Sequence, residues 1–190
     1  MIEFGAQPTD RSQFDQLRQR MLDEQLVARD IRDQRVLRAI ARVRREEFVP
    51  SPLQLEAYAD GPLPRGSGQT ISQPFTVAYM IEALQLTGDE RVLEVGTGCG
   101  YAAAVLACLA GDVYTVERHR ELALAARHRL ERLGYRTVSV HTGDGTLGLP
   151  RFGPFDAIVV TAGAKFLPTP FAEQLRDGGR IVIPIGGSPN

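Results

Sequence analysis

Cysteine, histidine and tryptophan are nearly missing from this chain, which has two Cys, three His and no Trp in 190 residues. Cys99 and Cys108 lie nine residues apart in text that reads as one helix, where they cannot be bridged, so a disulfide framework is excluded. His119, His128 and His141 have no ligand spacing with one another or with either cysteine, and no metal is expected. An excess of either charge is also lacking. With 22 Lys+Arg against 23 Asp+Glu, the net charge of −1 leaves no basic field for nucleic acid phosphates. Long hydrophobic runs are absent: stretches such as 101–110 are about half of the roughly 20 residues a membrane-crossing helix needs. Residues 1–25 carry Glu3, Asp10, Asp15, Asp23 and Glu24 and no apolar signal-peptide core, so the expected compartment is the cytoplasm. What is present, 43% hydrophobic and 24% charged residues, fits one ordinary globular domain or a domain with a small appendage.

Composition changes once, near residue 65, from Arg/Gln/Asp-rich helical text to Gly- and Val-rich alternating text. Ser12 with Asp15 reads as a capping-box-like start for a first helix over 13–28, and a second is expected over 30–43. In the second, Val36, Leu37, Ile40 and Val43 form one face, and Arg32, Arg35, Arg38 and Arg42 a solvated one. Pro50, Pro52, Pro62 and Pro64 predict an irregular arm over 48–65. From residue 87 strands alternate with helices. Strands are expected at 91–95, 112–117, 137–142, 156–161 and 180–185, and helices at 101–110, 120–133 and 170–175. Nearly all-apolar strands alternating with helices predict an α/β fold, a doubly wound, mainly parallel sheet.

The most informative stretch is VLEVGTGCGY, residues 92–101, where a strand runs through Gly96, Gly98 and Gly100 into a helix. That is a nucleotide-binding turn, but its G-x-G-x-G spacing departs from the G-x-G-x-x-G of dinucleotide sites. Glu94, expected at the mouth of the turn, opposes a pyrophosphate and welcomes a cationic ligand. S-adenosyl-L-methionine, with a sulfonium, an amino group and no phosphate, fits. Glu117 closes the second strand 21 residues after Gly96, near the offset at which an acid binds ribose hydroxyls. Asp144 and Gly145, in GDGTLG after the third strand, sit where an adenine amino group would find an acceptor and close backbone, or form a plain Asp-Gly turn. The fourth strand ends in VVTAGA, without an [N/D]PP[Y/F] motif or a carboxylate pair, and with no base before Lys165. A nucleophile already ionised at pH 7, such as a carboxylate, suits such a site.

Residues 66–75, GSGQTISQPF, place two glycines, Gly66 and Gly68, ahead of a helix with Pro74 in its first turn and Val77, Met80, Ile81 and Leu84 on its apolar face. Ser72 reads either as that helix's N-cap or as a hydrogen-bond donor to an anionic substrate.

These segments, with MLDEQL (21–26), REEFVP (45–50), VYTVE (113–117), PFDAIVVTA (154–162) and IPIGG (183–187), resemble the protein-L-isoaspartate (D-aspartate) O-methyltransferases over nearly the whole chain. The resemblance implies a Rossmann-like S-adenosyl-L-methionine-dependent methyltransferase core over 66–190 behind an N-terminal helical cover and Pro-rich arm over 1–65. It implies transfer of a methyl group to the free carboxylate of L-isoaspartyl residues in damaged proteins. Thr70, Ile71 and Ser72 would then lie between cofactor and substrate, with Ser72 at the active-site serine. Glu94, Gly96, Gly98, Glu117, Asp144 and Gly145 would hold the cofactor. Two other functions stay open from the residues themselves: methylation of an aspartate carboxylate in a biosynthetic peptide, and a non-catalytic nucleotide-binding module. The family continues past IPIGG into further strands, so the apolar strand at 180–185 is expected at a sheet edge, in a shortened form or paired with a second subunit.

Overall fold

The computed structural model describes residues 11–64, 70–163 and 166–186; Gly66, Gly68, Lys165 and Gly187, singled out above, lie outside them. The chain begins with α1 (Arg11–Met21), which gives way to a π-helical turn at Leu22–Leu26 and a 3-10 turn at Val27–Arg29. One unbroken helix over 13–28 was the expectation. The π turn instead rotates the chain so that Met21, Leu22 and Leu26 are all buried. The Asp15 carboxylate of the expected capping pair accepts from Arg18 at 2.8 Å. Then α2 (Gln34–Arg42) starts at Asp33, whose side chain accepts the Arg35 N–H at 2.7 Å, an N-cap that shortens the expected helix. Its arginine face is only partly solvated, because Arg35 donates to the Leu86 carbonyl.

The Pro-rich arm is ordered, with 3-10 turns at Arg45–Phe48 and Ser51–Glu56. It leads into a two-stranded antiparallel ribbon, β1 (Leu63–Pro64) with β2 (Thr70–Ile71), and α3 (Pro74–Ala83) follows. Arg18 donates to the Tyr58 hydroxyl at 2.9 Å and to Glu46 at 3.3 Å, and Tyr58 itself donates to Glu46. Glu82 on α3 accepts the Arg32 and Asp33 N–H groups at 2.7 and 2.6 Å. The Glu82 bonds fasten the N-terminal segment to the rest of the chain, and those among Arg18, Tyr58 and Glu46 tie its first helix to the Pro-rich arm.

The remaining elements are β3 (Arg91–Val95), α4 (Tyr101–Leu106), β4 (Asp112–Glu117), α5 (Arg120–Arg132), β5 (Val138–Thr142), β6 (Phe155–Val160), α6 (Thr169–Glu173) and β7 (Leu175–Val182). The five strands form one sheet in the order β5-β4-β3-β6-β7, and every pairing is parallel. Alternate side chains of a strand enter different cores. Val92, Val113, Ala157 and Val159 join the larger cluster with the N-terminal segment, α3, α4 and α5. Leu93, Val116, Ile158 and Val160 join a smaller one closed by Phe155 and Phe171 of α6. Both faces are therefore covered, as a parallel sheet requires.

The largest differences from the expected boundaries in this half lie at α4 and β7. The α4 helix ends at Leu106 rather than at residue 110, and Cys99 and Cys108 flank it instead of sharing it; both are free thiols. The last strand spans Leu175–Val182 rather than 180–185; it starts earlier because Asp177-Gly178-Gly179 is absorbed as an irregularity between Leu175 and Arg180, with Gly178 at φ +78°. Among the described residues β7 has β6 as its one neighbour, so the edge position expected for this strand is observed. No helix of the described residues is long and apolar enough to cross a membrane.

Candidate active site

The strand order reverses between β3 and β6, and in such sheets the loops leaving the carboxyl ends diverge there and open a crevice. A cavity of about 510 Å3 occupies this place. Thr70, Ile71, Ser72, Glu94, Gly96, Gly98, Glu117, Asp144 and Gly145 all line it, so the fold gathers from four separate segments every site residue singled out in the sequence.

The turn after β3 is shaped by glycine. Gly96 has φ +103°, and a Cβ there would sit 2.8 Å from the Thr161 hydroxyl. That hydroxyl donates to the Gly96 carbonyl at 2.6 Å, tying the end of β6 to the turn. One of the two acids, Glu94, differs from the sequence reading. Glu94 does not stand at the mouth: it is fully buried inside β3, in register with Thr115 of β4. Its Oε2 accepts from the Thr115 hydroxyl at 2.6 Å, Thr115 shares a 2.6 Å bond with Thr97, and Oε1 has no partner among the described residues. Burial pushes the Glu94 carboxyl up to about 8, against the Thr115 hydrogen bond and with help from the negative charge of Glu117.

Glu117, at the end of β4, is also buried, though not fully. Its Oε2 accepts the Gly98 N–H at 3.0 Å and its Oε1 the His119 N–H at 3.0 Å. Each oxygen keeps lone-pair capacity for a ligand. Asp144 is exposed, and its Oδ1 accepts both the N–H and the hydroxyl of Thr146, at 3.0 and 2.8 Å, which holds the carboxyl below its ordinary range. Gly145 lacks a Cβ for a reason the sequence did not reveal: one would lie 2.6 Å from a methyl of Val95.

On the opposite wall, Ser72 follows β2 and precedes α3. The N-cap of α3 is Gln73, with no side-chain cap bond, so the capping role open to Ser72 in the sequence is not realised. Its hydroxyl has no hydrogen-bond partner among the described residues, while its carbonyl accepts from Arg45 at 2.7 Å. Thr97, Thr115, Tyr101, Thr161 and Arg45 are site and supporting residues that sequence reasoning missed. A threonine inside the apolar run DVYTVE was a readable signal for Thr115; nothing local distinguished Arg45 from the surface arginines around it.

The geometry is a crevice whose acids stand where a phosphate would need donors. A carboxylate at the Gly98 N–H removes the anion site that such a turn offers a pyrophosphate. The family model for protein-L-isoaspartate (D-aspartate) O-methyltransferase matches residues 16–190. A protein-L-isoaspartate O-methyltransferase of Pelobacter propionicus is 58% identical over 171 residues, covering 90% of this chain and 76% of that protein. One of Methylorubrum populi is 57% identical over 172 residues, covering 90% and 81%. Among solved structures, a protein-L-isoaspartate O-methyltransferase superposes with a TM-score of 0.79 at 34% identity, over 88% of this chain, which spans 55% of that one. A Plasmodium falciparum relative solved with S-adenosyl-L-homocysteine shares the fold, with a TM-score of 0.77 at 24% identity over 90% of this chain and 84% of that one. The chain belongs to the protein-L-isoaspartate (D-aspartate) O-methyltransferase family, and its activity is the O-methylation for which that family is named.

Proposed function

We propose that the crevice binds S-adenosyl-L-methionine and presents it to an isoaspartyl carboxylate held at Ser72. The observation that carries this reading is the pair of acids: one closes the phosphate position of the turn, and the other is a buried carboxyl with an orphaned oxygen. The residues fit the cofactor. Glu117 would accept the ribose hydroxyls, Glu94 would meet the ammonium or an ordered water bridging to it, and Asp144 Oδ2 would accept the adenine amino group beside Gly145. Gly96 and Gly98 let backbone approach closely.

When bound, the cofactor supplies an electrophilic methyl group on a cationic sulfur. The protein's part is positioning and exclusion of water, because a carboxylate with an ordinary pKa near 4 is already ionised at pH 7 and needs no base. Ser72 would donate to one oxygen of the substrate carboxylate and aim the other at the methyl carbon; one C–O bond forms as one C–S bond breaks. The segment to residue 65 would form the cover over which a flexible peptide lies. The same reading sets the protein in the cytoplasm and assigns it no nucleic acid or membrane partner, in keeping with a net charge of −1. The test is transfer of radiolabelled methyl to an isoaspartyl peptide beside its aspartyl twin. Label on the isoaspartyl peptide alone supports the reading, and equal or aspartyl-only labelling overturns it.

A further inference from the structure

Arg45 is a buried cation without a buried anion. It has no exposed surface. Glu46 beside it is engaged by Arg18 and Tyr58. The Arg45 Nε donates to the Ala57 carbonyl and Nη2 to the Ser72 carbonyl, both at 2.7 Å, while Nη1 has no partner among the described residues. The guanidinium lies 4.6 Å from the ring centre of Tyr101, and the buried Tyr101 hydroxyl has the Arg45 guanidinium as its polar neighbour, without a well-formed hydrogen bond among the described residues. Removing a guanidinium from water without a counter-charge is costly, and an apolar side chain would fill the same space without that cost. A trans peptide points its N–H away from its C=O, so a Ser72 carbonyl turned toward Arg45 directs the Gln73 N–H the other way. That N–H has no hydrogen-bond partner among the described residues. The crevice is lined by Ser72 and by the carboxyl groups of Glu94, Glu117 and Asp144; burial keeps Glu94 largely protonated at neutral pH, so the negative field an anionic substrate meets there comes from Glu117 and Asp144.

We propose that Arg45 is a positioning residue for the substrate: it clamps and polarises the Ser72–Gln73 peptide so that the Ser72 hydroxyl and the Gln73 N–H receive the isoaspartyl carboxylate, while its charge offsets the acids of the crevice. This rests on the function proposed above. A charged donor on a carbonyl strengthens the N–H of the same peptide unit, because linked hydrogen bonds polarise one another.

The test compares wild type, Arg45→Lys and Arg45→Met, using an isoaspartyl peptide and the same peptide with the carboxylate replaced by its neutral amide. Peptide binding is read in saturating S-adenosylhomocysteine. Arg45→Met is expected to raise KM for the isoaspartyl peptide roughly 10- to 100-fold. Cofactor affinity and amide-peptide affinity should stay near wild type. Arg45→Lys recovers part of the loss, since it restores the charge but not the fork that reaches two carbonyls. A wild-type KM in both variants overturns the proposal, as does equal weakening of carboxylate and amide peptides or a parallel loss of cofactor affinity. If Arg45→Met does not fold, Arg45→Lys decides: a raised KM with intact cofactor affinity supports the proposal, and an unchanged KM overturns it. Wild type that labels no isoaspartyl peptide overturns the functional reading instead.

Discussion

Glu117 accepts the Gly98 N–H at 3.0 Å, so the acid that ends β4 occupies the anion-binding mouth of the turn leaving β3. The contact selects against phosphate and leaves the carboxylate's outer lone pairs for hydroxyl donors. Glu117→Ala is expected to weaken S-adenosylhomocysteine binding roughly 10- to 100-fold, the worth of a hydrogen bond to a charged acceptor. Calorimetric titration measures this, and an unchanged dissociation constant would remove Glu117 from the cofactor site.

Ser72→Ala separates substrate orientation from structure. Because Gln73 is the N-cap of α3, losing the Ser72 hydroxyl should leave thermal stability and cofactor affinity near wild type. The rate of methyl transfer should fall about 10-fold or more, as expected when one donor to an ionised group is lost. A drop in stability matching the drop in activity would show a structural role instead.

Glu94 makes the stability of the cofactor-free protein fall with rising pH. Its carboxyl is raised in the folded state from 4.5 to about 8. Over that interval the native state holds a proton that the unfolded chain has released, so ΔG of unfolding decreases as pH rises from about 4.5 to about 8. Chemical denaturation of wild type and Glu94→Gln across this range checks the sign: the variant should show a flatter profile. Cofactor binding near pH 7 should also release a proton as the ammonium meets Glu94. Calorimetry in two buffers of different ionisation enthalpy reads that directly, and identical heats would contradict it.

Gln174 holds the loop that carries Asp144. Its side-chain amide donates to the carbonyls of Leu147 and Pro170 at 2.9 and 3.0 Å, and its Oε1 accepts the Leu149 N–H at 2.7 Å, all in a buried position. Gln174→Ala should cost about 2–4 kcal/mol by denaturant unfolding, from three lost bonds at a net contribution of about 1 kcal/mol each and orphaned backbone groups. Cofactor affinity should weaken less than in Glu117→Ala, because the loop is loosened rather than stripped of a ligand.

The α/β class, the parallel sheet and the strand-turn-helix at residues 92–101 were legible in the sequence because each depends on local periodicity and on glycine at fixed offsets. The gathering of Glu94, Glu117 and Asp144 into one crevice followed from the same pattern, since a parallel sheet puts the loops after its strands on one rim; the place of Thr70 to Ser72 was legible only through the family resemblance. Local pattern reached no further. How deep each acid sits was decided by register: Glu94, fully buried, faces Thr115 across a pair of central strands, while Glu117, at a strand end and slightly exposed, reaches back to Gly98. The π turn at Leu22–Leu26 and the burial of Arg45 beneath Tyr101 were likewise set by what the N-terminal segment packs against. Sequence determines which residues arrive at the rim, because periodicity is a property of neighbours along the chain. Tertiary structure alone decides their depth, their partners and therefore their charge, because desolvation and hydrogen bonding depend on groups distant in sequence.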